Sequence, residues 1–261
     1  MLYFDNHIHT EFSFDSQEKM ENACLFALDK KMGGISFTDH FDCNYPKEER
    51  INLTEYKRAF DICKEKFPNI YLGVEIAQPF ENEELYKQAL NFCDYDIILM
   101  SLHNNPQYED FYFLDYSKLN TRELLERYFD ILLKMVETFD FDVLTHLDYP
   151  FRYISSFSNQ PDVDEFNEQI DKILKAVIEK NKVIEVNTSN LYKGIMRTLP
   201  EYSIVERYAA LGGKTVSLGS DAHCAQNIGN GFENVLTALK KCKIDNICFF
   251  EKRNRIDVEI K

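Results

Sequence analysis

Leu2-Tyr3-Phe4-Asp5-Asn6-His7-Ile8-His9-Thr10 is the stretch from which the fold is read. A short apolar run leads into two histidines one residue apart, and a polar loop follows. On an extended strand alternate side chains share a face, so the imidazoles of His7 and His9 are expected side by side, where a strand gives way to its connecting loop. Neutral imidazole is a preferred ligand of zinc, iron and similar ions, and two so placed could chelate one metal ion. Alone, such a pair is more often structural than functional. Its meaning depends on how the other strands end.

Downstream, short apolar runs alternate with longer amphipathic stretches, the rhythm of a parallel α/β fold. Strands are expected over 35–38, 70–74, 97–100, 142–145, 183–186 and 215–218, besides the first, and helices over 17–32, 53–67, 81–92, 121–139, 163–181, 203–211 and 231–241. That gives about seven strand–helix units, with an apolar run at 247–250 near the end of the chain. Nearly every strand ends in His, Asp, Glu or Asn. In parallel α/β barrels functional groups gather at the carboxyl ends of the strands. Burying unpaired polar groups there costs several kcal/mol, so such endings need a reason.

The six histidines, at 7, 9, 40, 103, 146 and 223, all fall at or just past an expected strand end, and none within an expected helix. Structural histidines would scatter over helix surfaces. Glu75, Asp221 and Asp15 add carboxylates at equivalent places.

Composition narrows the class. With 261 residues, 44% apolar and 28% charged, the chain has enough apolar content for one large core, and no run approaches the roughly 20 residues that span a bilayer. The N-terminus lacks the basic and long apolar regions of a signal peptide, and a cytoplasmic location is expected. A net charge of −14 argues against nucleic acid as the main partner, but a metal cluster can reverse the sign locally for a small phosphorylated metabolite. The seven scattered cysteines include no Cys-x-x-Cys pair and suit structural thiols in a reduced compartment. Cys43 and Cys224 lie near histidines in sequence but are expected to be buried hydrophobes rather than ligands.

His7-Ile8-His9-Thr10, Thr38-Asp39-His40, Glu75, Ser101-Leu102-His103, His146-Leu147-Asp148 and Gly219-Ser220-Asp221-Ala222-His223 together resemble the PHP (polymerase and histidinol phosphatase) family of metal-dependent phosphoesterases. The resemblance covers essentially the whole chain, in order. Glu185-Val186-Asn187-Thr188-Ser189 and Leu199-Pro200-Glu201-Tyr202 make it most like members that hydrolyse L-histidinol phosphate in histidine biosynthesis. It implies one catalytic domain over 1–261, a distorted (β/α)7 barrel, and up to three divalent ions such as zinc, iron or manganese. By position, His7, His9, Glu75 and Asp221 would hold the first ion, and His40, His223 and Asp15 the second. Glu75 would bridge to a third, completed by His103 and His146. Many members have His where this chain has Asp15, which could be a ligand or a proton donor. Asp39 and Asp148 could orient imidazoles, although a helix cap is an equal expectation for Asp39.

The implied reaction is phosphomonoester hydrolysis by a metal-activated hydroxide, with Asp15 and Glu75 in the catalytic machinery. A phosphate also invites cations, and Arg152, Lys193 and Arg197 stand after strand ends, with Arg152 close enough in sequence to act in catalysis too. Tyr149, Phe151, Tyr153 and Tyr192 could shape a pocket for an imidazole-bearing alcohol. The alternatives are a phosphoesterase for another small phosphate ester and an amidohydrolase-like C–N hydrolase. The latter commonly uses a strand-end lysine, and no expected strand ends in one. A non-catalytic metal-binding module is disfavoured by the complete ligand set.

Overall fold

In the computed structural model, residues 3–47, 50–155, 157 and 160–261 are described. The apolar runs form β1 (Phe4–Ile8), β2 (Gly34–Phe37), a three-residue β3 (His40–Asp42), β4 (Ile70–Ala77), β5 (Ile97–Ser101), β6 (Val143–Leu144), β7 (Val183–Asn187), β8 (Thr215–Gly219), β9 (Asn246–Glu251) and β10 (Asn254–Glu259). Their order is β1-β2-β4-β5-β6-β7-β8-β9-β10, with β3 continuing the line of β2 beside β4. All neighbours pair in parallel except the terminal β9–β10 hairpin. Every residue of β1, β5, β7 and β8 is buried, as expected of strands covered on both faces.

The ends of the order come together. Past β8, Asp221 N donates to His7 O at 2.7 Å and His9 N to Ala222 O at 2.9 Å, tying β1 to the β8 loop. At the opposite end β9 fills the space between them: it pairs with β8, and Phe249 stacks on Phe4 of β1 at 4.0 Å. The fold is therefore barrel-like, and β1, β2, β4, β5, β6, β7 and β8 are the strands of the seven expected units. Side chains of Ile97, Leu99, Val143, Val183, Cys248 and Phe250 form a separate apolar plug, and the larger core lies between strands and helices.

Seven helices follow those strands: α1 (Met20–Asp29), α2 (Leu53–Lys64), α3 (Glu83–Leu90), α4 (Thr121–Thr138), α6 (Asn167–Glu179), α8 (Tyr202–Ala210) and α9 (Phe232–Lys241). Two four-residue helices, α5 (Phe151–Ile154) and α7 (Ser189–Tyr192), lie in the loops after β6 and β7. Asparagine side chains cap three helix starts: Asn52 accepts from Thr54 N and Glu55 N, Asn82 from Leu85 N, and Asn120 from Glu123 N. Helix α2 is fastened to the sheet where the buried Tyr56 hydroxyl donates to Phe37 O at 2.8 Å and Gly73 O at 3.0 Å.

Several boundaries differ from the sequence reading for identifiable reasons. The first helix starts at Met20 rather than 17 because Glu18 is engaged elsewhere: its carbonyl accepts from Glu11 N, and its carboxylate accepts from Ala225 N at 2.6 Å. Strand β4 runs past Glu75 to Ala77 because β3, hidden in the short run after Thr38-Asp39, pairs with it, opposing His40 to Glu75. The hairpin to β10 turns on Lys252 and Arg253, both at positive φ (50° and 62°), without the Asn-Gly or Asp-Gly signature that marks such turns in sequence.

Candidate metal centre

Strand β1 carries a one-residue register shift between Asp5 and Ile8. Asn6 then reaches Ser217 Oγ of β8 at 2.9 Å, while the next residue, His7, reaches Glu185 of β7 at 2.6 Å. Ser217 and Glu185 are paired residues and share a face. Successive side chains of a regular strand would point opposite ways, so the bulge turns both inward, as bulges re-aim side chains elsewhere. The expected pairing of His7 with His9 holds, with ring centroids 4.9 Å apart.

The structure brings every sequence-proposed metal ligand to one end of the barrel. Glu75 is the hub. Its Oε2 lies 3.3 Å from His7 Nε2, 3.6 Å from His9 Nε2 and 2.9 Å from His40 Nδ1. Its Oε1 lies 3.5 Å from His103 Nε2 and 3.2 Å from His146 Nε2 and accepts from the Ser101 hydroxyl. Asp221 Oδ1 is 3.3 Å from His9 Nε2, and Asp15 Oδ2 is 2.8 Å from His223 Nε2 and 3.7 Å from His40 Nε2. Three groupings have donor atoms close enough to share an ion: His7-His9-Glu75, His9-His40-His223, and Glu75-His103-His146. A fourth, His40-Asp42-His103, includes Asp42, which the sequence reading did not single out. No cysteine belongs to any of them among the described residues; Cys43 is buried and free, and Cys224 accepts from Asn227.

The residues fit resident cations. His7 Nε2, His9 Nε2, His40 Nδ1 and Glu75 Oε2 are buried and have no hydrogen-bond partner, yet they converge on one another. Lone pairs left unpaired in a protein interior cost free energy, and a shared ion satisfies them together. The charges agree. Burial pushes the Glu75 carboxyl up, but His7, His40, His103 and His146 outweigh it and hold it well below the usual carboxylate range. Burial pushes His7 down, and Glu185, Glu75 and Asp221 draw it well above its ordinary value. His9, surrounded by His40 and His223 as well as buried, is lowered to about 3. So many opposed charges in one dry space are an arrangement that divalent ions would neutralise.

Supporting contacts fix the ligands. Asp39 does not face an imidazole directly. It accepts from Thr10 N, Thr10 Oγ1 and Ser13 Oγ, and Ser13 Oγ in turn sits 3.1 Å from His9 Nδ1. Asp148, by contrast, accepts from Glu201 N at 3.1 Å and orients no histidine; burial raises its carboxyl to about 7 against the pull of Arg197. His146 and Asp221 both adopt positive φ, 22° and 52°, uncommon for residues with a Cβ. Asp5 holds the second of these turns, accepting from Ser220 N at 2.9 Å and Gly229 N at 2.8 Å.

A cavity of about 380 Å³ opens above the cluster, lined by Asp15, His40, His103, His146, Asp221 and His223. Arg152 and Lys193 line it too, with Phe14, Tyr45, Asp110, Tyr112, Phe113, Tyr149, Tyr153 and Tyr192 forming its walls. Arg152, carried by α5, is buried and fixed by Nε to Asn190 Oδ1 at 2.9 Å and Nη2 to Ser189 Oγ at 2.5 Å. Lys193 stands at the rim, where lost hydration and the Arg152 cation lower its ammonium. Arg197 is placed differently from the sequence expectation. It does not line the cavity, and its Nη1 pairs with Glu201 at 3.3 Å. Phe151 is likewise core, packed on Phe129 and Phe166. Asp110 and Glu185 were not proposed as site residues from the sequence, Asp110 because its long loop carries no strand-end signature. Glu185 lies inside an apolar run at the alternate position that faces inward, the one signal that could have found it.

Comparison with known proteins agrees with this geometry. The family model described as PHP domain matches residues 5–189. The chain is 34% identical over 257 residues to a probable histidinol-phosphatase of Clostridium acetobutylicum, covering 97% of this chain and 98% of that one. It is 30% identical to a probable histidinol-phosphatase of Thermotoga maritima, over 95% and 96%. Its fold superimposes with a TM-score of 0.81, at 24% identity and covering 97% of this chain and 98% of the other, on histidinol phosphate phosphatase from Lactococcus lactis, a structure in complex with zinc, L-histidinol and phosphate. The chain belongs to the PHP domain family.

Proposed function

We propose that this chain is a metal-dependent phosphomonoesterase that converts L-histidinol phosphate to L-histidinol and phosphate. The observation that carries the reading is the convergence of six histidines, Glu75, Asp221 and Asp15 beneath one cavity that also holds a buried arginine. The nearly full-length likeness to proteins named histidinol-phosphatases supports the substrate.

His7, His9, Glu75 and Asp221 would hold one ion, His40, His223 and Asp15 a second, and Glu75, His103 and His146 a third. When bound, such ions would supply positive charge to the phosphate oxygens and would bring the pKa of water toward neutrality. Arg152 is fixed in orientation by Asn190 and Ser189, so its guanidinium can grip a phosphate oxygen with little ordering cost. Asp15 Oδ2 stands 2.8 Å from His223 Nε2 and 3.7 Å from His40 Nε2, among the donors of the second ion, which favours its role as a ligand over that of a proton donor. Lys193 adds charge where the ester enters. Tyr149, Tyr153 and Tyr192 offer flat faces to an imidazole, and Asp110 offers an anion to an ammonium group.

The whole of 1–261 would act as one catalytic domain on a small phosphorylated metabolite in the cytoplasm. No helix among the described residues is long and apolar enough to cross a membrane. Phosphate release from L-histidinol phosphate and from a panel of sugar, nucleotide and amino-alcohol phosphates, with metal content measured on the same sample, tests the reading. It requires more than one ion per chain and a preference for L-histidinol phosphate. A hundredfold preference for another ester would overturn the substrate, and a metal-free active chain the mechanism.

A further inference from the structure

Glu185 is a buried carboxylate in β7, 1% exposed, that belongs to none of the ion-sharing groups above. Its Oε1 lies 2.6 Å from His7 Nδ1. Its Oε2 accepts from the His146 backbone N–H at 2.9 Å and from Asn187 Nδ2 at 3.2 Å. His7 and His146 serve different ions in the reading above, and His146 is one of the two ligands at positive φ.

We infer that Glu185 is a positioning residue for two ions at once: it sets the tautomer of His7 and holds the backbone turn that aims His146. The inference rests on the metal-binding reading. A carboxylate at Nδ1 keeps the proton on that nitrogen and leaves the Nε2 lone pair for an ion, and His7 Nε2 is the atom that faces Glu75. Three donors surround two oxygens. Only a carboxylate supplies both acceptors; glutamine would set an N–H₂ against one of the N–H groups. The strand opposite makes room for the arrangement. At Gly219 an added Cβ would lie 2.0 Å from Glu185 Oε1 and 2.6 Å from His7 Cβ, so any side chain there displaces the pair.

The test titrates zinc into chelator-stripped wild type, Glu185→Gln and Gly219→Ala in competition with a chromophoric chelator, and records the apo melting temperature of each. Zinc affinity is expected to fall about 10- to 100-fold in both variants, while apo Glu185→Gln melts within a few degrees of wild type and apo Gly219→Ala, which must displace the buried pair, melts lower. Long-range ¹H–¹⁵N spectra of zinc-loaded wild type, which need no variant, are expected to show His7 protonated at Nδ1. Wild-type zinc affinity in Glu185→Gln, or a proton on His7 Nε2, would overturn the inference. A wild-type chain that takes up no zinc would defeat the metal-binding reading itself, so the two failures are distinct.

Discussion

Glu75 lies within 3.6 Å of five imidazoles and is the one anion they share. Glu75→Gln keeps the volume but removes the charge shared between ions. Phosphate release is expected to fall by about a hundredfold or more, the scale of losing one centre of charge stabilisation, with fewer metal ions retained on elemental analysis. Asp110 reaches the cavity from the long loop after β5, where it accepts from Tyr112 N at 2.7 Å and the Tyr149 hydroxyl at 3.2 Å. If it meets the cationic end of the substrate, Asp110→Asn raises KM for L-histidinol phosphate about tenfold, roughly 1.4 kcal/mol, and leaves KM for p-nitrophenyl phosphate unchanged. Equal effects on both esters would remove that role. Arg197 faces Glu201 and the buried Asp148 instead, so Arg197→Ala is expected to leave KM near wild type and lower the melting temperature by about 3 °C per kcal/mol lost.

Among elements, the terminal hairpin is held to the barrel by charge. Arg253 Nη1 meets Asp140 at 2.8 Å and its Nε and Nη2 meet Asp142 at 2.9 and 3.0 Å, while Lys182 adds a second cation to Asp140 at 2.9 Å. Burial raises the Asp140 carboxyl, but Arg253 and Lys182 more than offset it and hold it below its ordinary value. A carboxyl depressed on folding contributes stability above its unfolded pKa of about 3.9 and loses it as pH falls through the folded value. Asp140→Asn should therefore melt below wild type at pH 7, by no more than about 1 kcal/mol for so exposed a group. The gap should close in melting curves taken below about pH 4. A gap that persisted in acid would mean that Asp140 does not act through its charge. The apolar run at 247–250 marked β9, but neither its return strand β10 nor β3 was legible in the sequence, because three-residue strands and positive-φ Lys-Arg turns leave no periodic signal.

For the whole molecule, one end of the barrel concentrates buried charge that folding must accommodate. Resident ions bind only the folded chain, so removing them should cost stability: about 2.7 kcal/mol for one ion at a hundredfold excess over its Kd, or roughly 8 °C at about 3 °C per kcal/mol. Differential scanning calorimetry before and after chelation checks this, and an unchanged melting temperature would contradict ion binding at the centre. The sequence by itself determined the strand–helix alternation and which residues are candidates for ligands. Burial on both faces writes continuous apolar runs, and a buried polar strand ending is too costly to occur so often without use. It also placed His7 beside His9, since alternation is local geometry. What only the tertiary structure decided is which groups meet. The β1 bulge, the pairing of β3 with β4, and the reach of Glu185 to both His7 and His146 all depend on distances between strands far apart in the chain, and no local pattern encodes those distances.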